Sequence, residues 1–103
     1  MLRPRPLLGL LLLRPLAAAT ECSAGQLRLS NGVKMPAVGL GTAGLTAPAT
    51  LNTSLAAALA AGYRMFDTAD LYSNHHQLAT GLAGLLPSFG LTRRDVFLVT
   101  KVS

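Results

Sequence analysis

Two β-rich runs in this chain stop at side chains that could move a proton. The first is Gly62-Tyr63-Arg64-Met65-Phe66-Asp67-Thr68-Ala69-Asp70-Leu71-Tyr72. Tyr63, Met65 and Phe66 are large, and Tyr and Phe suit a pleated, packed surface, so the run begins as a strand and turns polar at Asp67. The second, Val96-Phe97-Leu98-Val99-Thr100-Lys101, finishes in a lysine. An acid, a phenol and an ammonium therefore sit where two neighbouring strands would end on one face. An unperturbed tyrosine has a pKa near ~10, too high for efficient acid catalysis at neutral pH. A lysine cation beside it favours the phenolate, and an aspartate next to the lysine holds it in place and charged. Each residue also has an ordinary reading: Asp67 ends a strand or caps a turn, Tyr72 is a half-buried loop aromatic, and Lys101 is the solvated end of a strand.

The elements that would position these residues alternate. Leu27-Arg28-Leu29, Asn31-Gly32 and Val33-Lys34-Met35 predict a hairpin, with Asn-Gly as a tight turn of positive φ at both central residues. Pro36 ends it, and Ala37-Val38-Gly39-Leu40-Gly41 predicts the first strand of a sheet, its glycines permitting close backbone approach to a ligand. Thr50 to Ala61 predicts a helix, rich in alanine and with Leu51, Leu55 and Leu59 on one face. Gly62 stops it. The sequon Asn52-Thr53-Ser54 falls in the first turn of that helix and is discounted. The strand Tyr63 to Asp67 is followed by a helix over about Asn74 to Leu86, closed by Pro87 and Gly90. Thr92 reads as the cap of a short turn. The strand Val96 to Thr100 is apolar throughout, as a parallel strand buried on both faces would be. Hairpin, β, α, β, α, β means an α/β fold with a parallel sheet.

Composition limits what the chain does. Its 103 residues allow one small domain. The net charge of +5 is uneven: Arg3, Arg5 and Arg14 precede the first acid, Glu21. Residues 26–103 carry an excess of basic side chains scattered without a run, which argues against nucleic-acid binding. A single cysteine, Cys22, excludes an internal disulfide and a cysteine-based zinc site. The adjacent His75 and His76 do not face one another on a helix and make a poor metal pair, so no metal site is assigned. Residues 1–25 read as an extension outside the fold, and residues 26–103 as the domain. Arginines, the apolar run Leu7 to Leu13 and Ala17-Ala18-Ala19 outline a secretory signal, spoiled by Arg14-Pro15. The run is too short to span a bilayer. A cytoplasmic location is the expectation, with secretion or mitochondrial import through residues 1–19 as alternatives.

Gly39-Leu40-Gly41-Thr42, Gly62-Tyr63-Arg64 with Phe66-Asp67-Thr68-Ala69, Tyr72 and Thr100-Lys101 occur in an order that resembles the aldo-keto reductases. The resemblance covers residues 27–103. It implies that the sheet is the start of an eight-stranded TIM barrel, the first three βα units of the (β/α)8 fold, with the hairpin plugging the bottom and the barrel incomplete. Such barrels place their chemistry at the C-terminal ends of the strands. By resemblance, Tyr72 is the acid, Lys101 its activator and Asp67 the supporting acid. Gly41, Thr42 and Asp67 meet the cofactor, NADPH, and the substrate is a small aldehyde or ketone reduced to an alcohol. The chain departs from the family at His75, where an acid is usual, at Met65, and at Ala79, where glycine is common. The family's substrate-orienting histidine, phosphate pocket and nicotinamide-stacking aromatic are expected beyond Ser103. The chain is therefore read as a fragment or short isoform of a reductase. The alternative is a product of the same ancestry without catalytic activity of its own, either misfolded and degraded or acting by contact with another protein.

Overall fold

A computed structural model describes residues 25–103. The proposed extension, apart from Gly25, and Cys22 lie outside the described residues. A hairpin comes first, β1 (Gln26–Arg28) against β2 (Lys34–Pro36), antiparallel with Leu27 opposite Met35. Its turn differs from the expected one. The Leu29 N–H donates to Val33 O at 2.8 Å and the Gly32 N–H to Leu29 O at 2.9 Å, so three residues form the loop. Gly32 has φ 86, whereas Asn31 does not enter the positive-φ region. The Asn31 side chain instead accepts the Val33 N–H at 3.0 Å, which suits a turn followed by a left-handed glycine.

The sheet is parallel, in the order β3 (Leu40–Gly41), β4 (Met65–Asp67), β5 (Phe97–Val99). The register aligns Leu40 with Phe66 and Phe66 with Leu98, and aligns Gly41, Asp67 and Val99 one step on. β3 is shorter than the sequence suggests because Ala37 still belongs to the hairpin, its N–H donating to Gly25 O at 2.9 Å. β5 is not buried on both faces: Leu98 is 36% exposed. It is the edge of the sheet, and among the described residues nothing flanks it on the side away from β4.

Helix α1 (Pro48–Ala60) joins β3 to β4, and α2 (His75–Leu85) joins β4 to β5. α1 starts two residues before the sequence suggests, since Pro48 costs nothing where its missing N–H would have no helical partner. It ends as expected at Gly62, with φ 94, where the Tyr63 N–H returns to Ala58 O at 2.9 Å. α2 runs on through a 3-10 turn, Leu86–Phe89, to Gly90 at φ 68. The core is one cluster: Leu51, Leu55 and Leu59 from α1, Leu78 and Leu82 from α2, with Phe66, Leu86 and Val96. Thr92 caps the next turn in a reciprocal box with Asp95, as its position implies.

The two helices meet at Gly81. A Cβ there would collide with the Asn52 side chain and lie 2.9 Å from Leu55 Cδ1, and Leu55 has no exposed surface in which to move. Gly81→Ala gains about 1 kcal/mol of helix propensity, but overpacking costs typically 1–3 kcal/mol. We expect net destabilisation, read as a lower denaturation midpoint. Gly84→Ala, with open space around it, should instead stabilise.

Candidate active site

The ladder of the sheet continues past the strand ends and carries the site. The Thr42 N–H donates to Asp67 O at 3.0 Å, the Thr68 N–H to Val99 O at 2.8 Å, and the Asp70 N–H to Lys101 O at 2.9 Å. These bonds align the residues that follow β3, β4 and β5 at the C-terminal edge. The hairpin lies at the other end, where Val33, Lys34 and Pro36 border a space of about 260 Å³ with Arg64, Val96 and Phe97.

The structure brings Asp67, Tyr72 and Lys101 together. Lys101 Nζ donates to both carboxylate oxygens of Asp67 at 2.8 Å, to Thr68 O at 3.1 Å and to the Tyr72 hydroxyl at 3.5 Å. The ammonium also stands 5.1 Å from the centre of the Tyr72 ring. Tyr72 closes a 3-10 turn, Asp70–Tyr72, which folds the phenol back over the strand ends. Because the hydroxyl accepts from Lys101, its own proton is left to donate elsewhere. The side chains are 53% (Lys101) and 31% (Asp67) exposed, and ion pairs so open to water contribute little to stability.

The hydrogen bond that Lys101 donates to Asp67 raises the Lys101 pKa above the ordinary 10.5, against a smaller opposing effect of desolvation, with Tyr72 adding to the rise. A folded-state value above the unfolded one stabilises fully below the unfolded value and ceases to do so as pH rises through the folded one. The stability difference between the protein and Lys101→Met is therefore expected to hold at neutral pH and shrink above pH 10.5. Denaturation midpoints across an alkaline series check this.

Gly41 and Thr42 behave differently from each other. Gly41 is exposed, and a Cβ on it would meet nothing within 4 Å. Thr42 is fully buried, and its hydroxyl donates to Asp67 O at 2.8 Å. It braces the end of β4, and its side chain does not reach the surface.

Asn74 was singled out by sequence only as the start of α2. It caps nothing with its side chain. It is fully buried, its Nδ2 donating to Thr42 O (2.9 Å), Thr42 Oγ1 (3.1 Å) and Leu45 O (3.1 Å). Its Oδ1 accepts the Thr68 hydroxyl at 2.6 Å. The available signal was a polar residue at the mouth of a helix with a threonine after each of two strand ends. His75 and His76 are exposed, and the His75 Nε2 pairs with Thr100 Oγ1 at 2.8 Å. Met65 packs over Gly39, where a Cβ would lie 3.0 Å from the Met65 carbonyl, and Ala79 is exposed on α2, so the fold accommodates both departures. Among the described residues no group of three or more His, Cys, Asp or Glu could hold a metal ion, and no helix is long and apolar enough to cross a membrane.

A sequence profile of the aldo/keto reductase family matches residues 37–103. Morphine 6-dehydrogenase of Pseudomonas putida is 40% identical over 76 residues, 74% of this chain and 24% of that protein. An aldo-keto reductase of Mycobacterium sp. (strain KMS) is 45% identical over 74 residues, covering 72% of this chain and 25% of that protein. The chain thus spans about a quarter of the length of these curated relatives. Among solved structures, the aldose reductase of Schistosoma japonicum superposes with a TM-score of 0.67 at 33% identity, over 74% of this chain and 25% of that one. A Bombyx mori aldo-keto reductase in complex with NADP gives 0.69 at 29% identity, over 79% and 28%. These neighbours are TIM barrels, and the present α/β sheet matches part of theirs.

Proposed function

The chain belongs to the aldo/keto reductase family, and from that premise we propose that it carries the proton-donating part of an NADPH-dependent carbonyl reductase. Residues 26–103 are an N-terminal hairpin and the first three βα units of an incomplete barrel, with residues 1–25 an extension outside it. The observation that carries the reading is the Lys101 ammonium held at once by Asp67 and Tyr72 at the C-terminal edge of the sheet. The residues present fit the nicotinamide end of the cofactor: Gly41 offers bare backbone facing open space, aligned across the sheet with Asp67, whose carboxylate is accessible.

Bound NADPH supplies a hydride for the carbonyl carbon. The chain supplies the proton. Tyr72 donates its hydroxyl hydrogen to the carbonyl oxygen, so that an alcohol leaves and a phenolate remains. Lys101 stabilises that phenolate as it forms, and Asp67 keeps the ammonium charged and aimed. Water restores the phenol proton. The substrate is a small aldehyde or ketone.

The test measures NADPH-dependent reduction of a small aromatic aldehyde by the protein itself. The same assay is run on a solved relative whose matching quarter is exchanged for residues 37–103. Reduction by the exchanged protein that disappears with Tyr72→Phe supports the reading. An exchanged protein that folds and binds NADPH yet reduces nothing, where its parent does, refutes it.

A further inference from the structure

We propose that Asn74 is a positioning residue for the proton-donating group: acting through Thr42 and Thr68, it fixes where the Lys101 ammonium stands between Asp67 and Tyr72. The inference rests on the reading of that group given above. Asn74 has no exposed surface and is 32 residues from one of its partners, Thr42, and 6 from the other, Thr68. Both ends of its amide are bonded: the nitrogen spans Thr42 and Leu45, and the oxygen takes the Thr68 hydroxyl. No buried side-chain nitrogen or oxygen among the described residues lacks a partner.

Each arm of the amide leads to the ion pair. Through one, Asn74 holds Thr42, whose N–H and hydroxyl both donate to the carbonyl of Asp67, at 3.0 and 2.8 Å. Through the other it holds Thr68, whose carbonyl accepts the Lys101 ammonium at 3.1 Å. One side chain therefore fixes the backbone that carries the carboxylate and the carbonyl that receives the ammonium's further bond. The turn preceding Asn74 needs such an anchor. Ser73 sits at φ 54, ψ 34, a left-handed conformation unfavourable to a residue with a Cβ, and it lies between Tyr72 and Asn74. Asn74 is thus tied both to the clamp and to the end of the turn that carries Tyr72.

Asn74→Ala would orphan buried groups on two segments, the turn after β3 and the end of β4, and is too blunt a test, since a loss of folding would by itself explain any change. Thr68→Val keeps the shape and removes only the hydroxyl that Asn74 holds, and Thr68→Ser restores it. The chain has two lysines, Lys34 and Lys101, so lysine isotope-labelled at Cε gives two signals, with Lys34 as the reference in the same spectrum. We expect Thr68→Val to lower the Lys101 titration midpoint while Lys34 stays put, and Thr68→Ser to return it to the wild-type position. A purely structural role for Asn74 would lower the melting temperature and leave the Lys101 midpoint where it was. That result, or an equal movement of both lysines, overturns the proposal. The titration needs neither NADPH nor substrate. An absence of carbonyl reduction would sink the reductase reading without touching this result, and an unmoved midpoint would sink the positioning role even in an active enzyme.

Discussion

Tyr72→Phe is expected to lower carbonyl reduction by about 10²- to 10⁴-fold, the usual contribution of a positioned general acid, while cofactor binding is unchanged. Phenylalanine keeps the ring beside Lys101 and removes only the hydroxyl proposed as the proton donor. The loss should appear in kcat and in kcat/KM alike, since the interaction is made only as charge develops on the carbonyl oxygen. Lys101→Met should be comparably damaging. It leaves the Asp67 carboxylate near the phenol with no cation between them, and a like charge opposes phenolate formation. Asp67→Asn should be milder: Lys101 keeps its bonds to Thr68 O and Tyr72. What it loses is the largest cause of its raised pKa, so activity in this variant should fall off at a lower alkaline pH. The measurement is NADPH consumption against aldehyde concentration in the exchanged protein. If Tyr72→Phe stays active while Asp67→Asn does not, Tyr72 is not the proton donor.

The legible part of this site was the part written at strand ends. Asp67 and Lys101 each close an apolar run, and parallel strands that pair in register place their ends side by side. The meeting of the two at 2.8 Å follows from topology plus the reach of a lysine. Tyr72 was legible for a weaker reason, a short loop that could swing either way. It is the Asp70–Tyr72 turn, with Ser73 in a left-handed conformation, that decides the direction. Asn74 was not legible as anything but a helix start, because its partners Thr42 and Leu45 lie far back in the chain and nothing local distinguishes an inward asparagine from a capping one. Thr42 was assigned to a cofactor loop by resemblance, and its burial comes from that same long-range amide. The hairpin turn failed at a finer level. Asn-Gly was read through its backbone preference, whereas the Asn31 side chain took the Val33 N–H and left Gly32 alone in the positive-φ region. For Asn74, Thr42 and Asn31 the missing information was a side-chain hydrogen bond to the backbone.

The other large effect is expected in the core. Phe66→Ala should remove about 3–5 kcal/mol, because Phe66 is fully buried in the middle strand, aligned with Leu40 on one side and Leu98 on the other. It lies in one cluster with Leu51, Leu55, Leu59, Leu78 and Leu82, so the cavity left by its ring would be lined by both helices. A core of this size supplies roughly 3–5 kcal/mol in total, so the substitution should leave little or no cooperative transition in thermal or denaturant unfolding. The site goes with it, since Asp67 is the next residue along β4 and its carbonyl anchors Thr42. Leu71→Ala is the matched control. Leu71 is as hydrophobic but 81% exposed, in the turn that carries Tyr72. Its replacement should change stability by no more than about 0.5 kcal/mol. Circular dichroism through a denaturant series separates the two. A Phe66→Ala chain that still unfolds cooperatively, within about 1 kcal/mol of the parent, would mean that the sheet is not held to the helices through Phe66. The alignment of Asp67 with Lys101 would then need another support.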